Sequence, residues 1–552
     1  MKNCNFLEIC NNNPEFANDM LNGKGSVSWD QMEQLNSVPQ VVPVVSSLCS
    51  KYINRVVCIR GNVIKAYPVY FKKVIGQLTC YKCNEGRKLD EREMKKQNFI
   101  CDSCGNSSVK IEEIFTDAIP IQSIRIQDIG TFNAISETVE VLLEEENANK
   151  FHCGNKVDVL GIVVRKWRTF KKNEPMGCIL CLKALNIVKR ESLGSSAVDL
   201  EPILSDYGSK NETAKRKLLV DSFCREIVGN EETKLGILMC LACNPNLNIG
   251  ETTRTNSHVL IIGEPSTGKT RMLKSAAKLI SPAILTNGIS TTDAGLTSCA
   301  TKQGKEWVLE AGALVLSDLG ICLIDEFNRL KVNEKGGLLE AMEQQTISVA
   351  KAGIVTTMNT RCSVIAACSS KYSYNSNRTV SENLDISTPL VSRFDLIFNI
   401  TDRPNENKDQ KKADFILKRS FEKKKTVSRH FWDQNVLKAF ILHGRLASVA
   451  FSEFSYDILL QYYNKKREIE GPNEYNTIRM LESLIRIANS HAKLMLKDTI
   501  TVDDEIFAIL LLECTVNNNK NEFSNQEEFF TDQKLYELAK EKICKAFDLK
   551  VK

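Results

Sequence analysis

Four groups of residues in this 552-residue chain have types and spacings suited to chemistry. The first lies in VLIIGEPSTGKTRML, where Gly263, Gly268, Lys269 and Thr270 fit the pattern G-x-x-x-x-G-K-[ST]. Glu264, Pro265, Ser266 and Thr267 complete that loop. Glycines there let backbone N–H groups wrap phosphates, and a helix N terminus adds partial positive charge. Lys269 suits the β- and γ-phosphates of ATP, and the Thr270 hydroxyl suits Mg2+. An apolar run, Val259–Ile262, precedes the loop and helical spacing follows it, which makes a chance match improbable. The second group is GICLIDEFNRL, an apolar run ending in Asp325 and Glu326. Asp325 can hold Mg2+, directly or through water, and Glu326 can polarise an attacking water. The third is a pair of arginines. Arg393 in SRFDLIF could reach a neighbouring subunit's γ-phosphate, or form a plain surface ion pair. Arg479, at a helix start in NTIRMLESLIRI, carries the same two readings. The fourth is LTCYKCNEG…NFICDSCGN, in which Cys80, Cys83, Cys101 and Cys104 form two C-x-x-C pairs. That spacing suits a four-thiolate Zn2+ site, and four protein ligands leave no open position, so such zinc is structural.

Two further C-x-x-C pairs, Cys178/Cys181 and Cys240/Cys243, enclose apolar residues and read as core thiols. The five histidines (152, 258, 430, 443, 491) form no H-x-x-x-H pair, and no hydrolase triad is suggested.

These residues need elements to hold them. Residues 1–50 read as a short helical or partly ordered lead-in. Residues 51–190 alternate apolar and polar residues in short runs, which predicts a small OB-like β-barrel bearing the cysteine hairpin, at about 78–106. Residues 191–215, rich in Ser, Gly, Asp and Lys, read as a linker. Apolar runs alternating with helical patterns over 216–405 predict a three-layer α/β domain. A basic stretch, 406–430, reads as a solvated helix and linker. Helical periodicity marks 431–515 as a helical lid, and 516–552 as a short tail. The chain is therefore expected to be multidomain.

Composition narrows the class. The chain is 43% hydrophobic and 26% charged, near globular averages. Net charge is +5, too mild to argue for or against nucleic acid. No run of about 18 uncharged apolar residues occurs, so no membrane span is expected, and no membrane is assigned as a partner. The 20 cysteines are scattered through a long chain without a secretory-type start, which favours a reducing interior.

WVLEAGALVLSDLGICLIDEFNRL, EAMEQQTISVAKAGIV and PLVSRFDLIF resemble the core of the minichromosome maintenance (MCM) helicases, ring-forming AAA+ ATPases. The similarity runs from about residue 50 to 515. GIVVRKW, MNTRCSVIAA and TIRMLESLIRIANSHAKLMLKDTIT look most like the family's ninth vertebrate paralogue, associated with the eighth in homologous recombination and mismatch repair. The resemblance implies a nuclear, ATP-dependent DNA helicase subunit in a hetero-hexameric ring, with single-stranded or forked DNA in its channel. It implies that Arg393 is an arginine finger and Arg479 a second sensor, both acting in trans. Lys351 matches a hairpin lysine that grips the DNA backbone, and Thr291–Lys305 a second channel element. One such lysine per subunit, repeated around a ring, supplies phosphate contacts without a strongly basic chain. Two departures stand out. Ser369 occupies the place of the family's first-sensor asparagine in VIAACSSKYSY, and the tail leaves little room for a winged-helix domain. A weakly hydrolysing structural ring subunit and a replicative subunit are the alternatives.

Overall fold

The computed structural model describes residues 41–42, 45–73, 75–80, 83, 86–90, 109–112, 118–128, 137–167, 178–189, 200–243, 254–303, 306–351, 353–369, 380–384, 386–400, 406–421, 431–450, 456–471, 477–515 and 530–549. Two compact units divide the chain: Met1–Glu191 with Ala300–Ala311, and Ser192–Cys299 with Gly312–Lys552.

In the first unit, alternation of apolar and polar residues builds a closed barrel. Val56–Ala66 pairs with both Lys156–Trp167 and Ala118–Gln127. Cys178–Lys189 joins Lys156–Trp167 antiparallel and Thr138–Glu144 parallel, and Thr138–Glu144 returns to Ala118–Gln127. Five strands therefore close on themselves, in the manner of an OB fold. Val57, Ile59, Val63, Ile124, Ile126, Val141, Leu143, Val159 and Leu182 fill the interior. The lead-in contributes as well: Val41–Val42 pairs parallel with the first barrel strand, and Val45 is buried among the barrel residues. A separate three-stranded sheet holds Ile75–Cys80 between Gly86–Asp90 and Val109–Glu112.

The expected assignment of all of 216–405 to the ATPase core needs correction, because Ala300–Ala311 belongs to the barrel unit. Glu310 pairs with Lys65 in the barrel's edge ladder and forms an ion pair with it, and the Cys153 thiol donates to the Leu309 carbonyl at 3.3 Å.

In the second unit, five parallel strands lie in the order Ala283–Asn287, Ile321–Asp325, Ser363–Ser369, Val259–Gly263, Leu396–Ile400. Their apolar residues run continuously instead of alternating, because helices cover both faces. All of Val259–Gly263 is buried, as are the first four residues of Ile321–Asp325. After the basic helix Glu406–Phe421, five more described helices follow: Gln434–Leu446, Tyr456–Glu470, Ile478–Leu494, Val502–Glu513 and Gln533–Ala546. They share one apolar core with the sheet.

Two more boundary readings change. The region read as a linker carries the helix Glu201–Gly208 and the start of Glu212–Ser222. Tyr207 is fully buried, stacks edge-on to Phe440 and donates its hydroxyl to the Leu494 carbonyl at 2.8 Å. Its polar composition hides one apolar stripe. The short tail also packs inward, with Phe530, Tyr536, Ile543 and Phe547 in the lid core. Among the C-x-x-C pairs, Cys240, Cys243 and Cys181 are buried as expected, but Cys178 is exposed at a strand end. No described helix is long and apolar enough to cross a membrane.

Candidate active site

Ligands of parallel α/β sheets bind beyond the carboxyl ends of the strands, and most of the sequence-selected residues meet there. Gly263 ends the fourth strand in the sheet order, in register with Ser369 on one side and Ile400 on the other. Asp325 ends the strand beyond Ser369. The loop turns through Ser266 at φ +70° and Gly268 at φ +91°. A side chain at Gly268 would meet this left-handed backbone and the Ile227 side chain 2.7 Å away, so glycine is required. The helix Lys269–Ala277 starts directly after it, without a side-chain cap on its N-terminal amides. Such amides form an anion site.

Lys269 is 6% exposed. Its ammonium donates to the carbonyls of Gly263 (2.9 Å) and Glu264 (2.6 Å) and to Thr267 Oγ1 (3.3 Å). Burial lowers its pKa, while Glu326 and Asp325 oppose that shift. Thr270 Oγ1 donates to Asp325 Oδ2 at 2.8 Å. A hydroxyl and a carboxylate oxygen so placed are the hard donors Mg2+ prefers. These residues therefore fit a nucleotide triphosphate with its magnesium.

Glu326 follows at φ +52°. Ser369 Oγ donates to Glu326 Oε1 at 2.9 Å, and Asn328 Nδ2 donates to the Ser369 carbonyl at 3.0 Å. Sequence reasoning misses Asn328, because nothing in a lone asparagine after an acidic pair marks it.

Arg393 and Arg479 come together at a different residue. Both guanidiniums bind the Glu343 carboxylate, Arg393 on Oε2 and Arg479 on Oε1. Arg393 also donates to the Pro389 carbonyl, and Arg479 to Ser392 Oγ at 3.0 Å. Burial pushes the Glu343 carboxyl up, but the two arginines hold it below its ordinary value. Among the described residues, neither arginine bonds to the phosphate loop or the acidic pair of its own chain. Glu343 lies 50 residues before Arg393 and 136 before Arg479, so no local pattern announces it.

Beneath these arginines lies Asp395. It is 5% exposed and accepts from Arg254 Nη2, Arg486 Nη2, Ser483 Oγ and the His258 backbone amide. His258 is neutral, with burial and Arg254 pushing it down to about 3. Its Nδ1 accepts from the Val364 amide, so Nε2 carries the proton given to the Met342 carbonyl.

Lys351 ends the hairpin strand Thr346–Lys351, paired opposite Ile354 of Ile354–Asn359. Its ammonium donates to the Ser298 carbonyl at 2.9 Å and lies 3.9 Å from Asp293. The two expected channel elements thus touch.

Cys80 is buried at the end of its strand and Cys83 exposed just beyond. Cys101 and Cys104 lie outside the described residues. A second group of metal-type donors joins Glu212, at the start of Glu212–Ser222, to His491 and Asp504 of the lid. Arg216 binds His491 and Glu212, and Lys497 binds Glu212 and Asp504. Two cations already neutralise these carboxylates, so the group is an ion-pair network and not a metal site.

Comparison with known proteins agrees with this architecture. Profiles of the MCM OB domain, the MCM P-loop domain and the MCM AAA-lid domain match residues 44–166, 208–420 and 435–516. The chain is 32% identical over 509 residues to a probable DNA helicase MCM9 of Oryza sativa subsp. indica, covering 87% of this chain and 75% of that protein. It is 29% identical over 573 residues to a probable DNA helicase MCM8 of Arabidopsis thaliana, covering 87% and 70%. It is 30% identical over 503 residues to the minichromosome maintenance protein MCM of Saccharolobus solfataricus, covering 86% and 72%. The chain belongs to the minichromosome maintenance family.

Proposed function

We propose that this chain is an ATP-hydrolysing DNA helicase subunit working in a ring of MCM-family subunits. The observation that carries this reading is the meeting of Lys269, Thr270, Asp325, Glu326 and Ser369 at one sheet edge, with Arg393 and Arg479 gathered on Glu343. Each ATP site then needs two chains, one giving the loop and acids and the next giving the arginines. Magnesium would be held by Thr270 and Asp325 and would neutralise charge between the β- and γ-phosphates. Glu326 accepts a proton from water as the water oxygen bonds the γ-phosphorus and the bond to the bridging oxygen breaks, releasing ADP and phosphate. Lys269 and the neighbour's arginines offset the charge that spreads over the phosphoryl oxygens.

Lys351 would contact DNA phosphates, which carry no sequence information and suit translocation. Zinc on Cys80, Cys83, Cys101 and Cys104 would hold the three-stranded sheet and take no part in chemistry. The similarity to MCM9 and MCM8 proteins supports a nuclear role in recombination or repair, with the eighth paralogue as ring partner. The test is the DNA-stimulated ATPase and fork unwinding of the chain assembled with that partner. Glu326→Gln should abolish both while nucleotide still binds; turnover that survives this change would sink the reading. A second reading, a ring subunit that binds ATP and hydrolyses it weakly, draws on Ser369 in place of asparagine. A Ser369→Asn variant that hydrolyses ATP much faster than the natural chain would favour it.

A further inference from the structure

We propose that Arg445 and Lys493 hold a small inorganic anion of the halide class inside the second unit, at the amino-terminal edge of its parallel sheet. Lys269 and Asp325 lie at the opposite, carboxyl edge, so this site is separate from the nucleotide site.

The two cations come from the ends of two lid helices. Arg445 is in the last turn of Gln434–Leu446, and its Nη2 lies 3.5 Å from the carbonyl of Leu319, two residues before the strand Ile321–Asp325. Lys493 is in the last turn of Ile478–Leu494. Arg486, Ser490 and Lys493 are spaced four and three residues apart there, so they share one helix face. Ser490 Oγ is 3.0 Å from Cys243 Sγ, and Cys240 Sγ donates to the Ser257 carbonyl at 3.1 Å. Ser257 stands two residues before the strand Val259–Gly263. The two helices meet at this level, where a Cβ on Gly444 would stand 3.8 Å from the Lys493 carbonyl. Arg445 acts electrostatically on Lys493, and both act on Cys243.

The observation that carries the site is buried positive charge without a counter-charge. Arg445 is 1% exposed, yet its Nε and Nη1 have no hydrogen-bond partner among the described residues. Lys493 is 4% exposed and forms no ion pair among the described residues. Asp395 is committed to Arg254 and Arg486. The thiols supply no anion, because burial holds Cys240 and Cys243 above the ordinary thiol value. Burial brings Arg445 down only to about 10, so it stays charged at neutral pH. Two like charges in one dry layer are strongly destabilising unless an anion joins them.

Size and charge select the ligand. Protein interiors hold few voids larger than a water molecule, and a dianion costs more to desolvate than a monovalent ion. A halide is close to water in size and accepts N–H donors from any direction. It can therefore take Arg445 Nε and Nη1 together with the Lys493 ammonium. Ser257 Oγ, buried and without a partner among the described residues, is a further donor at the same edge. Occupancy ties the ends of both helices to the starts of the strands. Because Ile478–Leu494 also carries Arg479, the ion steadies the helix that presents that arginine.

The test is the thermal melt of the full chain as chloride or bromide replaces gluconate, a bulky organic anion, at constant ionic strength. The melting temperature should rise saturably, by about 3 °C once the halide stands tenfold above its dissociation constant. The double variant Arg445→Met with Lys493→Met should lose this response, since it removes both charges and keeps apolar bulk. Crystals of the natural chain grown in bromide should show anomalous scattering beside Arg445 Nε and Nη1, and this measurement together with the natural chain's melts decides the matter if the variant fails to fold. The proposal is overturned if the natural chain melts alike in gluconate and halide, or if the halide response survives in the double variant. It is equally overturned if the bromide signal is confined to the surface. A signal at Arg445 without any halide effect on melting marks an adventitious ion only, and also overturns it.

Discussion

Asp395→Asn keeps the volume of a buried side chain and removes its charge. The aspartate accepts four hydrogen bonds, from Arg254 Nη2 (2.8 Å), Arg486 Nη2 (2.7 Å), Ser483 Oγ (2.5 Å) and the His258 amide (2.8 Å). Burial alone would raise its pKa, but Arg254 and Arg486 hold it well below the usual carboxylate range. In the variant Arg254 loses its carboxylate partner, and Arg486 keeps only the exposed Glu482 at 3.5 Å. Breaking a buried pair in this way costs about 3–5 kcal/mol, or on the order of 10 °C in melting temperature. The sign with pH follows from the depressed pKa. Stability from this group is complete above the unfolded value of 3.8 and is lost as pH falls toward the folded value. The gap between the natural chain and the variant should therefore be constant from pH 6 to 8 and narrow below about pH 4. Function should follow, because Asp395 lies two residues from Arg393 and its partners Ser483 and Arg486 share a helix with Arg479. Thermal melts across pH, paired with ATPase of rings containing the variant, measure both effects. A variant that melts within about a degree of the natural chain at pH 7 would refute the network's role. A gap undiminished near pH 3 would show that charge is not its source.

Glu505 behaves in the opposite sense. It is 0% exposed, neither carboxylate oxygen has a hydrogen-bond partner among the described residues, and burial, with Asp504 and Asp457, pushes its pKa up to about 8. Protonation favours the fold, so stability falls as pH rises from 4.5 through 8; near pH 7.5 the penalty is at most roughly 4 kcal/mol. Glu505→Gln should raise the melting temperature at pH 8, with the gain vanishing near pH 5, and a pH-independent change would count against this. Glu343→Gln should cut ATPase turnover by loosening Arg393 and Arg479 while costing under about 1 kcal/mol of stability, as an exposed pair does; denaturant melts and single-turnover kinetics separate the two. Lys351→Ala should weaken DNA binding for all sequences alike. It should also reduce the slope of log affinity against log salt by about one for each phosphate the lysine neutralises, as measured by fluorescence anisotropy.

Much of the site is legible in the sequence because its chemistry is local. The spacing from Gly263 to Thr270 is a short-range requirement of wrapping phosphate with backbone amides, and the run before Asp325 is a strand buried on both faces. The lead-in, linker and tail escape such a reading for one reason: burial there is set by partners far along the chain. Val45 joins a barrel made mostly of later residues, Tyr207 is covered by Phe440, and Tyr536 lies under the Arg216 guanidinium. Residues 300–311 leave the ATPase unit because a strand edge pairs with whatever complementary edge it meets, which sequence order does not specify.

By itself, the sequence marked a candidate phosphate-binding loop and an acidic strand end, because each depends on residue types a few positions apart. Tertiary structure alone decided what those groups touch. It set Ser369 on Glu326, joined Arg393 and Arg479 through Glu343, and gathered Arg254 and Arg486 on Asp395. Hydrogen bonds act over about 3 Å in space, and only the folded chain brings residues separated by 43, 50 or 136 positions to that distance.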